Sequence, residues 1–282
     1  MTLPVFVLRD AFSAPACATS AAMSASPAFS VGSRPQLPAS VQRHAFKAMR
    51  LAAGDEFQLT DGRGLRVTLR VDDSEAALAT VTEVEHEPQP AVRLGLIQAL
   101  AKGGRDEQAI ETSTEIGVDA VMPWQANRSI VQWKGSKASK ALAKWEDVLV
   151  AATEQSRRAY MPQLEGLHTT RQLNAWIGEA TKRGDMVIVL HQDATDTWGH
   201  IEQKAAQMAA TATQTVRAQS ASATAGPTVW VVVGPEGGIA DEEVAAFVQA
   251  GAASCVIGTT ILRASTAGPV ALTLLSHAIG RY

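Results

Sequence analysis

Apolar and polar positions alternate along the first third of the chain, and the rhythm then changes. Residues 4–8 hold Val5, Phe6 and Val7 in a short apolar run that predicts a first strand. Residues 11–40 are rich in Ala, Ser and Pro without any period, which predicts a long irregular insertion. Residues 41–51 predict a short helix with Arg43, Lys47 and Arg50 at i, i+4 and i+7 on one face. Two alternating stretches, 56–59 and 65–71, flank Asp61-Gly62-Arg63-Gly64, and Asp-Gly between β-like runs signals a hairpin. A further run at 76–84 completes a small β-rich unit. Glu87-Pro88-Gln89-Pro90 then breaks the chain stiffly, so the pattern sets two domains, 1–87 and 88–282.

Beyond that break, strands alternate with helices. Residues 92–99, 120–122, 186–190, 228–233 and 254–257 read as buried strands. The clearest helix is 140–155, where Leu142, Trp145, Val148, Leu149 and Ala152 form one apolar stripe. Another, 241–250, opens on three acids and stops at Gly251. The last, 269–279, begins with Pro269, which a first helical turn tolerates. It is apolar on most faces, so it must be buried in a core or an interface. The alternation predicts an α/β domain around a mainly parallel sheet. Residues 205–227 are rich in Ala, Thr, Ser and Gln; their first part extends a helix, and the rest predicts a mobile surface loop.

Composition fits this picture. The chain has 282 residues, 46% hydrophobic and 19% charged, enough apolar material for two cores. No run approaches the roughly eighteen apolar residues of a membrane helix, and the start lacks the basic and long apolar stretches of a signal peptide. A soluble, cytoplasmic protein with no membrane partner is expected. Two cysteines, Cys17 and Cys255, suit a reducing compartment better than a disulfide framework. The six histidines never fall at metal-ligand spacing, so no metal site is expected.

The net charge of −3 argues against a nucleic-acid binder, but its distribution does not. Between Arg34 and Arg70 seven basic residues meet three acids, a local excess of four that leaves the rest of the chain at −7. The positive potential is therefore local.

Candidate chemistry lies where predicted strands end. The run 229–233 enters Gly234-Pro235-Glu236-Gly237-Gly238, and a helix follows. In parallel sheets ligands bind beyond the carboxyl ends of strands, and glycines let backbone approach a ligand. From pattern alone, a strand-to-helix turn whose glycines only serve geometry, with Glu236 solvated, explains this loop better than a ligand site does. It is neither GxGxxG nor GxxxxGK[ST], which removes support for dinucleotide and P-loop readings. The second candidate joins Ile257-Gly258-Thr259-Thr260-Ile261-Leu262-Arg263 to Ala264-Ser265-Thr266-Ala267, with Arg263 suited to an anion or a carbonyl; an ordinary Ser/Thr cap is the plain alternative. Leu190-His191 ends a third strand.

These segments carry a family resemblance. The 234–238 loop with Ile239-Ala240-Asp241-Glu242-Glu243, followed by Ile257-Gly258, Ile261-Leu262-Arg263 and Ser265-Thr266-Ala267, resembles the paired C-terminal signatures of RsmE-type methyltransferases of the SPOUT class. Glu115-Ile116-Gly117-Val118, Pro123, Arg128-Ser129, Trp145, Glu154-Gln155-Ser156, Arg158 and Pro162 recur in that family's order. Arg43-His44, Arg50-Leu51, Gly54-Asp55 and Asp61-Gly62 are similar to its N-terminal PUA-like RNA-binding domain. The resemblance spans nearly the whole chain except 11–40 and 205–227.

It implies a Rossmann-like domain closed by a C-terminal trefoil knot, beside a small β-rich PUA-like domain. It further implies S-adenosyl-L-methionine bound by Leu190, His191, Gly234, Pro235, Glu236, Gly237, Gly238, Ile257, Gly258, Leu262, Arg263, Thr266 and Ala267. Glu236 and Arg263 become the catalytic candidates, for pocket ordering or substrate polarisation. Arg43, Lys47, Arg50, Arg128 and Arg158 become the RNA-binding candidates. The implied activity is N3-methylation of a uridine in 16S ribosomal RNA, in the small subunit or its precursor, by a homodimer. Thr112, Thr260 and Ser265 stand where many members carry Lys, Arg and Glu, so no role passes to those missing charges. Two alternatives stay open: a SPOUT methyltransferase acting on another RNA, and a non-catalytic RNA-binding assembly factor.

Overall fold

The computed structural model describes residues 3–8, 29–218 and 226–282. It divides into two compact units, Met1–Gln89 with Thr153–Met161, and Pro90–Ala152 with Pro162–Tyr282. The segment Thr153–Met161, assigned by sequence pattern to the second domain, therefore belongs with the first unit. Local periodicity carries no signal for such an exchange, because it depends on what the segment packs against.

In the first unit, β1 (Val5–Val7), β2 (Glu56–Thr60), β3 (Leu65–Asp73) and β4 (Leu78–His86) form a four-stranded sheet in sequence order. β1 runs parallel to β2, and the other pairs are antiparallel. The alternation in β2 and β3 sends Phe57, Leu59, Val67, Leu69 and Val71 into a core with Phe6, Val41, Ala45 and Val81. The Asp61-Gly62 turn closes as expected. Asp61 Oδ1 accepts from the N–H groups of Arg63 (2.8 Å) and Leu65 (3.1 Å), while Gly62 and Gly64 take the positive φ that the turn requires.

The expected helix over 41–51 takes another form. α1 (Ala39–Gln42) passes into a π-helical segment, Arg43–Ala48, in which Met49 N–H donates to His44 O (2.9 Å). Widening each turn to an i→i+5 bond changes the angular spacing of side chains. Arg43 and Lys47 stay on this segment, whereas Arg50 lies beyond it at φ 57. The single α-helical face of three cations is thus corrected. All three side chains are nonetheless exposed. Most of the insertion expected at 11–40 lies outside the described residues; its end is irregular until α1 begins.

The second unit is built on a parallel sheet of order β10-β12-β9-β11-β5-β6-β7, with β8 also paired to β6. The strands are β5 (Arg93–Ala99), β6 (Ala120–Gln125), β7 (Gln163–Leu164), β8 (His168–Thr169), β9 (Met186–Leu190), β10 (Asp196–Thr197), β11 (Thr228–Val233) and β12 (Ala253–Val256). All six β11 residues are buried, as expected of a central strand covered on both faces. The helices are α2 (Arg105–Ile116), α3 (Ser136–Gln155), α4 (Thr170–Lys182), α5 (Trp198–Ala218), α6 (Asp241–Gln249) and α7 (Ala264–Ala278). One face of the sheet joins Ile97, Met122, Trp124, Val187 and Val232 to Leu173 and Ile177 of α4 and Phe247 of α6. On α7, a Cβ added at Gly268 would meet Leu96 and Val233, so this helix seats its backbone directly on β5 and β11.

Three helices depart from the sequence pattern, and a fourth carries both a cap signal and an apolar stripe of Leu173, Trp176, Ile177 and Ala180. α7 begins at Ala264, so Pro269 sits inside it and is buried, not in the first turn. α5 continues to Ala218 through most of the stretch expected to be a loop; residues 219–225 lie outside the described residues. α2 has no apolar stripe to announce it. The face it buries is Asp106, Ala109, Ile110, Ser113 and Thr114, mostly polar or small. α4 carries its signal in Thr169-x-x-Gln172, which forms a capping box in the structure.

Thr60 ties Thr153–Met161 into the first unit. Its hydroxyl donates to Ala159 O (2.7 Å) and accepts from Gly62 N–H (2.9 Å) with no exposed surface. Thr60→Val keeps the shape, leaves the Gly62 N–H unpaired and leaves Ala159 O with the Gly64 N–H (3.1 Å) alone, a cost of about 1–3 kcal/mol. The expected outcome is a lower urea midpoint for protection of the β2 amides in hydrogen exchange; an unchanged midpoint means the bond contributes nothing net.

Candidate active site

β12, β9 and β11 are neighbours and parallel, so their carboxyl ends reach the same edge of the sheet. The loop that leaves each of them lines one cleft of about 580 Å³. That volume lies in the range of small-molecule and cofactor sites, about 300–1,000 Å³. The cleft takes in Leu190-His191, all five residues of Gly234-Pro235-Glu236-Gly237-Gly238, Ile257-Gly258, Leu262-Arg263 and Ala267. Three segments far apart in sequence thus converge, which no periodicity could have shown. Thr266 does not line the cleft; it is exposed on the first turn of α7, its N–H donating to Arg263 O (2.8 Å).

The loop after β11 is shaped by crowding as much as by glycine freedom. Gly238 sits at φ 73, which favours glycine. A Cβ at Gly237 would lie a tight 3.3 Å from Arg128 Cβ, so a side chain here would press on the turn after β6. Arg128 Nη1 also donates to Gly237 O (3.3 Å). Arg128, an RNA-binding candidate by sequence, is therefore part of the cleft wall. Arg43, Lys47, Arg50 and the half-buried Arg158 all belong to the first unit.

Glu236 is held on its far side. Its Oε1 accepts from Lys102 N–H (3.0 Å) and from Arg105 Nη1 (3.3 Å), and only 17% of its side chain is exposed. This carboxylate joins the loop after β11 to the loop between β5 and α2. Arg105, which no motif or spacing singles out, lines the cleft through this pair. Arg263 is the N-cap residue of α7; its side chain is exposed and has no hydrogen-bond or ion-pair partner among the described residues. His191 N–H donates to Cys255 O (3.0 Å), extending the β9–β12 pairing by one residue and fixing the start of its loop. Cys255 forms part of the wall. Burial, helped by the charge of Asp196, pushes its thiol up to about 11, so it meets the cleft as a neutral thiol at physiological pH. Cys17 lies outside the described residues.

A parallel α/β sheet with a glycine-rich cleft at the carboxyl ends of three adjacent strands defines a Rossmann-like methyltransferase fold when set beside solved structures. Ribosomal RNA small subunit methyltransferase E from Neisseria gonorrhoeae, solved bound to S-adenosyl methionine, superposes with a TM-score of 0.73 at 23% identity, covering 98% of each chain. The family model for the RNA methyltransferase domain matches residues 87–276, and the chain belongs to that family. Ribosomal RNA small subunit methyltransferase E of Mycobacterium bovis is 36% identical over 231 residues, 81% of this chain and 80% of that protein. The Bacillus subtilis protein of the same name is 27% identical over 237 residues, 83% of this chain and 86% of that one.

Proposed function

We propose that the protein is an S-adenosylmethionine-dependent methyltransferase that methylates N3 of a specific uridine in 16S ribosomal RNA, in the cytoplasm. The convergence of the three strand-end loops on one cleft is the observation that carries this reading. Membership of the RNA methyltransferase family supplies the chemistry, and the name of its 36% identical relative supplies the small-subunit RNA. We read the cleft as the loop cluster of a C-terminal trefoil knot and the first unit as a PUA-like RNA-binding domain. The arrangement suits an adenosine-bearing ligand: exposed backbone at Gly237 and Gly238, an apolar wall from Leu190 and Ile257, and a volume that admits it.

S-adenosylmethionine supplies an activated methyl group on a sulfonium. What the chain contributes is placement, because an in-line displacement is limited by approach and alignment. Glu236, paired with Arg105, keeps the glycine loop at fixed distance from the β5–α2 loop, so its role is ordering. Arg263, with a free guanidinium at the cleft, is the residue suited to a substrate phosphate or a uracil carbonyl. The N3 proton must leave as the new bond forms, and His191 and Asp193 line the cleft without an ion-pair partner among the described residues. The test is nucleoside mass spectrometry of 16S RNA from cells with and without the gene. Loss of N3-methyluridine on deletion is expected; full retention of that nucleoside sinks the assignment.

The protein works as a homodimer in this reading, through the second unit. Ile261 on the cleft rim is 81% exposed, and Ile130, two residues beyond Arg128, is 68% exposed. A second copy would cover such residues beside the cleft. Sedimentation at micromolar concentration should show a dimer, and an active monomer rules this out.

RNA docking falls to Arg43, Lys47 and Arg50, exposed cations without an acidic partner among the described residues, with Arg158 on the same unit. Removing a cation that meets a phosphate should flatten the log–log salt dependence of affinity by about 0.7 for single strands or 0.9 for duplex. The triple alanine variant is expected to bind RNA more weakly across sequences, with a slope smaller by about two to three, at unchanged cofactor affinity. Wild-type affinity and slope in that variant would move docking to the second unit, around Arg128.

A further inference from the structure

Glu243 on the first turn of α6 is a buried carboxylate, 2% exposed, that pairs with no Lys, Arg or His among the described residues. Three donors converge on it instead. Its Oε1 accepts from Asn127 N–H (2.9 Å) and from the Thr170 hydroxyl (2.5 Å), and its Oε2 accepts from Ala240 N–H (3.0 Å). The Thr170 oxygen in turn accepts from Trp124 Nε1–H (3.3 Å), so its proton is directed at the carboxylate. Burying a charge without a cation is costly unless hydrogen bonds satisfy it, and here they do.

What the three donors belong to gives the arrangement its consequence. Ala240 lies two residues beyond the glycine loop after β11. Asn127 precedes Arg128, whose Cβ backs Gly237 and whose Nη1 bonds Gly237 O. Thr170 opens α4, a separate element. One side chain thus clamps both walls that meet at Gly237, without itself lining the cleft.

Resting on the cofactor reading above, we propose that Glu243 is a positioning residue of the cofactor cleft, acting through the Asn127–Arg128 turn on the backbone at Gly237. The chemistry of a carboxamide makes this testable. Glu243→Gln keeps size and shape but replaces one acceptor oxygen with a donor NH₂. If that NH₂ faces Ala240, the N–H at the start of α6 loses its partner. If it faces Asn127, the turn loses its anchor, while the Thr170 hydroxyl can rotate to accept. Either way one buried backbone N–H is left unpaired.

The experiment compares wild type, Glu243→Gln, Arg128→Ala and the double variant of the full chain. Calorimetry gives the S-adenosylmethionine Kd, and hydrogen exchange follows the amides of 126–130 and of 240 without ligand. Glu243→Gln is expected to raise Kd about tenfold, equivalent to 1.4 kcal/mol, with thermal melting showing a folded protein at the assay temperature. Exchange should quicken at 126–130 or at 240, according to which way the carboxamide faces, and the double variant should bind no more weakly than the worse single one, because both act through one contact. A wild-type Kd in folded Glu243→Gln, additive losses in the double variant, or unchanged exchange both at 126–130 and at 240 each overturns the proposal. Absence of binding by wild type refutes the cofactor reading, and the exchange measurement still decides whether Glu243 fixes the turn. Should Glu243→Gln fail to fold, Glu243→Asp retains the charge but withdraws it by one methylene. It should give an intermediate Kd and faster exchange, and wild-type values for both overturn the proposal.

Discussion

The parallel pairing of β12, β9 and β11 is the constraint on which the site depends. Parallel strands all point their carboxyl ends the same way, so three loops that are not adjacent in sequence must emerge side by side. Each loop then has to turn into a helix or a neighbouring segment within a few residues, which brings main-chain N–H and C=O groups to the edge of the sheet. Burial of β11 along its whole length anchors that edge. The cleft is a consequence of strand direction first and of side-chain chemistry second.

Carboxylates hold the loops in place around it. Glu236 reaches back to Lys102 and Arg105, and Glu243 gathers Asn127, Ala240 and Thr170. Asp61 performs the same service in the first unit, accepting two N–H groups across its turn. In each case an acid satisfies donors that no regular element would pair. A loop whose polar groups are satisfied by fixed side chains is ordered before any ligand arrives, and less ordering then remains to oppose binding.

Substituting glycine would act differently at each position of the β11 loop. Gly238 needs its conformation, whereas a Cβ at Gly237 would crowd Arg128. Cations likewise divide by setting. Arg105 and Arg128 are engaged with protein acceptors at the cleft, Arg263 is not, and Arg43, Lys47 and Arg50 face solvent in the first unit. A count of basic residues would have treated all six alike.

The hydrophobic pattern by itself determined the buried strands, which the structure places at Met186–Leu190 and Thr228–Val233 with the same limits. It also determined the Asp61-Gly62 turn and the α/β character of the second half, since period and turn chemistry are local. The glycine-rich and Arg263 segments were legible as candidates because their residue types are unusual at strand ends, and the family resemblance joined them. Tertiary structure alone decided the rest. α2 escaped notice because it buries Ser113 and Thr114 where a stripe of Leu or Val would have announced it. The π-helical turn at Arg43–Ala48 and the left-handed Arg50 follow from how that segment packs, not from its spacing. Arg105 and Arg128 gained their places at the cleft, and Glu243 its place behind the cleft wall, from partners more than a hundred residues away, which only the packed sheet brings within hydrogen-bond reach.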